Sequence, residues 1–253
     1  MKKQNKMRFL NGCLLIDNSI LAVADFHIGY EEYITEQGIS LRIQFKEIIE
    51  KLDEVFDIIK KEKIKLKKIV VLGDLKHEFG GISDSEWRET LKLIDYLAEK
   101  VEGKTKNKII LTKGNHDNII GPIARKTEIE LRDYYSEKGI CFLHGNKIWK
   151  NCFRNEILIM GHLHPAIILS DKYKKEKYKC FLYGKWKGKE VYILPSFSPI
   201  SFGFELNCLA KNYKNEDKGF LVVDKKTLRN FEVVIYNNKE KKEYNFGRLK
   251  SLI

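Results

Sequence analysis

The stretch Glu156–Pro165 reads "EILIMGHLHP". Ile157–Met160 is an apolar run of strand length, continuous rather than alternating, as in a strand covered on both faces. Gly161 ends it. His162 and His164 follow, two of only six histidines in the chain. In an extended segment, residues two apart point the same way and lie about 6.6 Å apart. Two metal ions about 4 Å apart, each about 2 Å from a ligand nitrogen, need ligand atoms up to about 8 Å apart. The two histidines have the spacing to serve one ion each.

Working outward, the other histidines fall in similar places. "SILAVADFH" (Ser19–His27) is a buried strand ending in Asp25 and His27. "KIVVLGDLKHEF" (Lys68–Phe79) ends in Asp74, with His77 three residues later. "KIILTKGNHD" (Lys108–Asp117) runs into Asn115, His116 and Asp117, and "GICFLHG" (Gly139–Gly145) into His144. Ligands of open α/β sheets gather at the carboxyl ends of strands, so all six histidines can converge. Imidazole, carboxylate and amide oxygen without thiolate suit manganese, iron, zinc or related divalent ions. The candidates exceed one tetrahedral shell, so two ions fit better. Asp74 is the best-placed carboxylate to bridge them, and Gly73 and Gly114 allow close backbone approach.

Between these strands, Phe45, Ile48, Ile49, Leu52, Val55, Phe56 and Ile59 recur at helical spacing, as do Trp87, Leu91, Ile94 and Leu97 behind the capping-box sequence "SDSE" (Ser83–Glu86). A further helix is expected around Ile129–Glu137. Strand and helix in alternation indicate an α/β sheet with crossover helices. After about residue 170 the texture becomes mostly β: "YKCFLYGKW", "EVYILPSF", "GFLVVD" and "FEVVIYNN" read as strands, with "DKKT" as a hairpin turn. The expected organisation is one domain over residues 1–253, with a motif-bearing core to about 170 and a second sheet packed on the first.

Of the 253 residues 43% are hydrophobic, enough for a core without disulfides or structural metal. The five scattered cysteines form no C-x-x-C pair, which argues against thiolate zinc sites and fits a reducing cytoplasm. No apolar run is long enough to span a membrane, and the first residues do not read as a signal peptide. The net charge of +12 is compatible with polyanion binding but identifies no partner.

Taken in order, D-x-H, G-D, G-N-H-D, H-G and G-H-x-H, each after a strand, resemble the calcineurin-like metallophosphoesterase superfamily. The motifs run from Asp25 to His164. "GDLKHEF" and "GNHD" are similar to the branch related to SbcD-type double-strand-break-repair nucleases, in its small archaeal and bacterial members. The resemblance implies an α/β fold, a β-sandwich of two mixed sheets flanked by helices. It implies that Asp25, His27, Asp74 and His164 hold one ion, and that Asp74, Asn115, His144 and His162 hold the other. The ions would be manganese foremost, with iron, zinc or nickel as alternatives. His116 would face the substrate phosphate and Asp117 would orient its ring. His77 is left as a substrate contact or a support for Asp74.

The implied activity is hydrolysis of phosphodiesters by metal-activated water, with DNA or a nucleotide as the substrate. A small-nucleotide phosphatase or phosphodiesterase is the alternative enzyme. A catalytically inactive protein-binding scaffold of the same fold is the alternative outside enzymes. Residues 171–190 interleave lysine with Tyr173, Tyr178, Phe181, Tyr183 and Trp186. This reads either as a single-stranded nucleic-acid groove or as a hairpin with its aromatics in the core. "LPSFSPISFGFE" (Leu194–Glu205) is expected to pack back near the metal loops.

Overall fold

The structure is a computed structural model and describes residues 5–35, 43–103, 108–210 and 221–253. Its first sheet has the order β1-β2-β3-β4-β5-β6. These strands are Met7–Phe9, Cys13–Ile16, Ile20–Val23, Lys68–Val71, Ile109–Thr112 and Glu130–Arg132. From β3 to β6 they run parallel. Helices α1 (Tyr30–Thr35) and α2 (Gln44–Lys61) lie between β3 and β4 in sequence, α3 (Asp84–Glu99) between β4 and β5, and α4 (Gly121–Thr127) between β5 and β6.

The second sheet continues with β7 (Tyr134–Glu137), β8 (Ile140–Leu143) and β9 (Ile157–Met160). It is completed by β12 (Phe181–Trp186), β13 (Lys189–Ile193), β15 (Glu232–Asn237) and β16 (Lys242–Arg248), in the order β16-β15-β12-β13-β9-β8-β7. A small third sheet joins β10 (Pro165–Ser170), β11 (Lys175–Lys179) and β14 (Phe204–Glu205). Helix α5 spans Lys225–Leu228.

The continuous apolar runs have a simple cause. In β4, Ile69 and Val71 face α2 and α3, where they pack with Ile48, Leu52, Leu93 and Leu97. Val70 and Leu72 face the other way, into a layer shared with Phe142, Ile159 and Leu194 of the second sheet. Leu158 and Met160 of β9 turn to a further apolar cluster with Leu182, Ile193 and Phe231. These central strands are covered on both faces, so their runs are almost wholly apolar and burial, not alternation, marks them. The result is a mixed α/β sandwich flanked by helices, as expected, with the third sheet in addition.

Three expectations differ from the structure. Residues 129–137 form β6 and β7 rather than a helix. The open edge of β5 takes Glu130–Arg132 as a parallel partner, and Tyr135 packs its ring 5.9 Å from that of Phe142. "DKKT" is the start of α5, where the Thr227 N–H donates to Asp224 Oδ1 at 2.8 Å in an N-cap. Leu221–Asp224 form no strand, and Gly219 and Phe220 of "GFLVVD" lie outside the described residues. In the 171–190 stretch, Phe181 and Trp186 are core residues, whereas Tyr173 and Tyr178 remain exposed. Among the described residues, no helix is long and apolar enough to cross a membrane.

Candidate active site

The carboxyl ends of β3, β4, β5, β8 and β9 meet, and the side chains that follow them form two groups. Asp25, His27, Asp74 and His164 have ligand atoms within 4.8 Å of one another, and so have Asp74, His144 and His162. Asp74 belongs to both. Its Oδ2 lies 3.3 Å from His144 Nε2 and 3.7 Å from His27 Nε2. Asn115 joins the second group, with Oδ1 3.0 Å from His144 Nε2. His162 and His164 fall in different groups, the division that their i, i+2 spacing allows. A third set, His27, His77 and His116, adjoins the first.

The backbone makes this convergence by leaving ordinary conformations. Asp25, His27, Asp74, His162 and His164 all have positive φ, between 48° and 66°. Such residues cost roughly 1 kcal/mol or more each and persist where surrounding structure holds them. That structure is visible. The Asp25 N–H donates to Gly73 O at 3.2 Å, the His27 N–H to Asp74 O at 2.9 Å, and the His162 N–H to Asp25 Oδ2 at 3.0 Å. A Cβ on Gly161 would come 2.5 Å from Asp25 Oδ2, so only glycine fits between the sheets at that point.

The sequence of the family described as calcineurin-like phosphoesterase matches residues 19–226. The chain belongs to this family. Its fold is similar to that of the Pseudomonas putida nuclease MPE, with a TM-score of 0.59, 15% identity, and 92% of this chain and 96% of that chain covered. A Vps29 single mutant from Entamoeba histolytica is similar at a TM-score of 0.36 and 14% identity, over 90% of this chain and 99% of that one. No curated protein matches the chain. This phosphoesterase is thus a hydrolase of phosphoester bonds by family.

The residues present fit metal ions. Asp25 Oδ1 is buried and has no hydrogen-bond partner. His27 Nε2 and His164 Nε2 face each other at 3.2 Å, and His162 Nδ1 and His144 Nε2 at 3.0 Å. Two donors bound at about 2.1 Å to one ion stand roughly 3.0–3.4 Å apart. Burial pushes His27 down to about 3, with Asp74 opposing, so its imidazole is neutral and has a lone pair to give. Burial also acts against the charged form of His144, but Asp74 and Asp25 outweigh it and raise it to about 9. Burial opposes the ionised form of Asp74 too, yet His144 and His27 hold its carboxyl well below the usual range. The phosphoesterase can hold metal at these groups.

Asp117 stands apart from the His116 ring that the resemblance gave it to orient. Its Oδ2 accepts the N–H groups of Asp74 at 2.7 Å and Gly114 at 2.9 Å, and its Oδ1 that of Leu75 at 3.0 Å. It ties the β4 loop to the β5 loop. Burial, followed by Asp74, raises it to about 6. The His116 ring is met instead by the His77 carbonyl, at Nδ1. His77 stacks with His116 at 5.1 Å between ring centroids, and its Nδ1 lies 3.3 Å from His27 Nδ1. Burial, then His116, lowers it to about 4.

Several supporting residues escaped the sequence reading. Glu86 has the capping-box position, and its N–H does donate to Ser83 Oγ at 3.1 Å. Its carboxylate also reaches the β4 loop. Oε1 accepts from the N–H groups of His77 at 2.8 Å and Glu78 at 3.0 Å, because the β4 loop lies above the helix start and leaves those donors open. Gln44 donates to His27 O at 2.8 Å and Ser198 Oγ at 3.2 Å. The segment Leu194–Glu205 does pack back on the site: Ser196 Oγ donates to Asp25 O at 2.9 Å, and Ser201 Oγ lies 3.4 Å from His164 Nδ1. A polar residue beside a ligand loop was the available signal, but its partner is distant in sequence.

Proposed function

We propose that this phosphoesterase is a dinuclear metal-dependent phosphodiesterase acting on a nucleic acid or nucleotide, of the SbcD-related kind its motifs resemble. The observation that carries the reading is the pair of ligand groups sharing Asp74. Asp25, His27, Asp74 and His164 are the ligands of one ion, and Asp74, Asn115, His144 and His162 those of the other, with manganese the first choice. Bound there, two divalent ions supply neutralisation of the phosphoester anion and a lowered pKa for water.

The chain's own residues supply the rest. Asp117 fixes the two loops that carry Asp74 and Asn115. His116 borders the first ligand group, its ring centroid 4.8 Å from that of His27, and the two proposed ligand sets are filled without it. Its Nδ1–H is engaged by the His77 carbonyl, so Nε2, 3.9 Å from Asp74 Oδ2, is the atom left to hold a proton for the departing alkoxide. His77, stacked on His116, keeps that ring upright and borders the substrate.

The test is a panel with added manganese: bis-p-nitrophenyl phosphate, p-nitrophenyl phosphate, single-stranded DNA and duplex DNA, with metal analysis of the same samples. Diester hydrolysis above monoester hydrolysis and close to two equivalents of metal are expected. Hydrolysis of the monoester alone moves the reading to a phosphatase. Metal-independent silence on all four returns it to a scaffold.

A further inference from the structure

Two exposed aromatic rings adjoin histidines of the candidate metal centre, and a third follows a residue that touches it. Among the described residues, eight large apolar side chains are exposed, and Tyr33, Phe79 and Phe202 are three of them. Tyr33, on α1, is 53% exposed, and its ring centroid is 5.6 Å from that of His77. Phe79, in the loop after β4, is 51% exposed and 3.7 Å from the His116 ring. Phe202, just before β14, is 83% exposed. It follows Ser201, whose hydroxyl is 3.4 Å from His164 Nδ1. The rings come from separate segments: Tyr33 and Phe79 lie against histidine rings, and Phe202 is tied to the site through its neighbour Ser201.

Tyr33 and Phe79 are presented rather than merely left over. Tyr33 is backed by Tyr30, with ring centroids 6.4 Å apart and planes 27° apart, and Tyr30 in turn lies 4.2 Å from the His77 ring. Phe79 is backed by His116 in the same way. Leaving such rings in water forgoes the gain of burying them, and apolar surface grouped beside a polar site marks what a ligand covers. A ligand that covers them puts flat apolar faces beside a phosphoester. Charge agrees with a polyanion: the chain carries +12, and beside Phe202 the Lys177 ammonium donates to Gly203 O at 2.8 Å.

We infer that Tyr33, Phe79 and Phe202 stack the unpaired nucleobases flanking the phosphodiester at the centre, which makes bases outside a duplex a requirement of the site. This rests on the phosphodiesterase reading for its substrate class. A base within a duplex has both faces and its pairing edge occupied, so the rim has nothing to stack on until the strand is opened. Aromatic stacking of this kind tolerates any base, since each has a π face.

The experiment compares a short fluorescein-labelled oligothymidylate with an oligomer of the same length made of abasic tetrahydrofuran units. The phosphates are identical. Binding is read by fluorescence anisotropy in calcium, so the result does not depend on turnover. Hydrolysis of bis-p-nitrophenyl phosphate with manganese is measured on the same protein. Wild type should bind the base-bearing oligomer roughly tenfold tighter or more. In Tyr33→Ala and Phe202→Ala, whose rings are exposed and whose melting should be unchanged, the ratio should fall toward one. Equal binding of both oligomers by wild type, or equal losses on both in the variants, overturns the inference. No manganese-dependent hydrolysis alongside base-dependent binding overturns the phosphodiesterase reading and leaves the aromatic rim standing.

Discussion

At the scale of single residues, the site is built from conformations that side chains rarely adopt. Five proposed ligands sit at positive φ, and each has a backbone or carboxylate contact that holds it there. Gly161 is one of the tight points, where a Cβ would come 2.5 Å from Asp25 Oδ2. Gly161→Ala should therefore push the Asp25 carboxylate aside and weaken one metal site while the other fills. Titration by isothermal calorimetry should show about one strong equivalent where wild type shows two; an unchanged isotherm would mean the strand ends yield more easily than their packing indicates. His116 gives the complementary case. His116→Ala should keep both ions and lose turnover by roughly two to four orders of magnitude. The loss should be smaller for bis-p-nitrophenyl phosphate, whose leaving group departs as a stable anion, than for DNA, whose alkoxide needs the proton. Loss of metal in this variant would make His116 a ligand.

At the scale of elements, the loop Ser196–Ser198 is the brace that joins the two sheets at the site. Its Phe197 N–H donates to Ala24 O at 2.9 Å, and Lys51 Nζ donates to Phe197 O at 3.2 Å. Lys179 Nζ donates to the carbonyls of Ser196 and Ser198. Burial lowers Lys179 from its ordinary 10.5 to about 7, helped by Lys51 and opposed by Asp25. Between these values the unfolded chain binds a proton that the folded chain does not, so this residue's contribution to stability rises with pH across that window. Urea unfolding in chelator at pH 7 and pH 9 should show wild type gaining roughly 1–2 kcal/mol relative to Lys179→Met. A gap that is flat or narrows with rising pH would mean the amine stays charged in its pocket. That Leu194–Glu205 packs back near the metal loops was legible in the sequence; the contacts of its brace and the Glu86 clasp on the β4 loop were not, because each joins segments far apart in the chain. The strand ends were legible, because there a single segment carries both the apolar run and the ligand. Residues 129–137 misled for the opposite reason: tertiary pairing to β5 overrode a weak local pattern.

At the scale of the whole molecule, the proposed ligands come from both sheets. Asp25, His27, Asp74 and Asn115 follow strands of the first, and His144, His162 and His164 follow strands of the second. Each proposed ion therefore takes ligands from both, and would tie together halves that otherwise meet through the apolar layer of Phe142, Ile159, Val70 and Leu72. We accordingly propose that residues 1–253 melt as one unit and that metal raises the melting point of all of it. A site filled at a hundred times its Kd adds about 2.7 kcal/mol. In a chain of this size about 2–4 °C of Tm accompanies each kcal/mol, so two filled sites should give roughly 10–20 °C. Calorimetry should show one transition that moves up with manganese and returns with chelator. Asp74→Ala should abolish most of the shift, since it removes the carboxylate common to both groups. Two transitions, only one of them metal-sensitive, would show instead that the sheets unfold separately and that the ions belong to one of them.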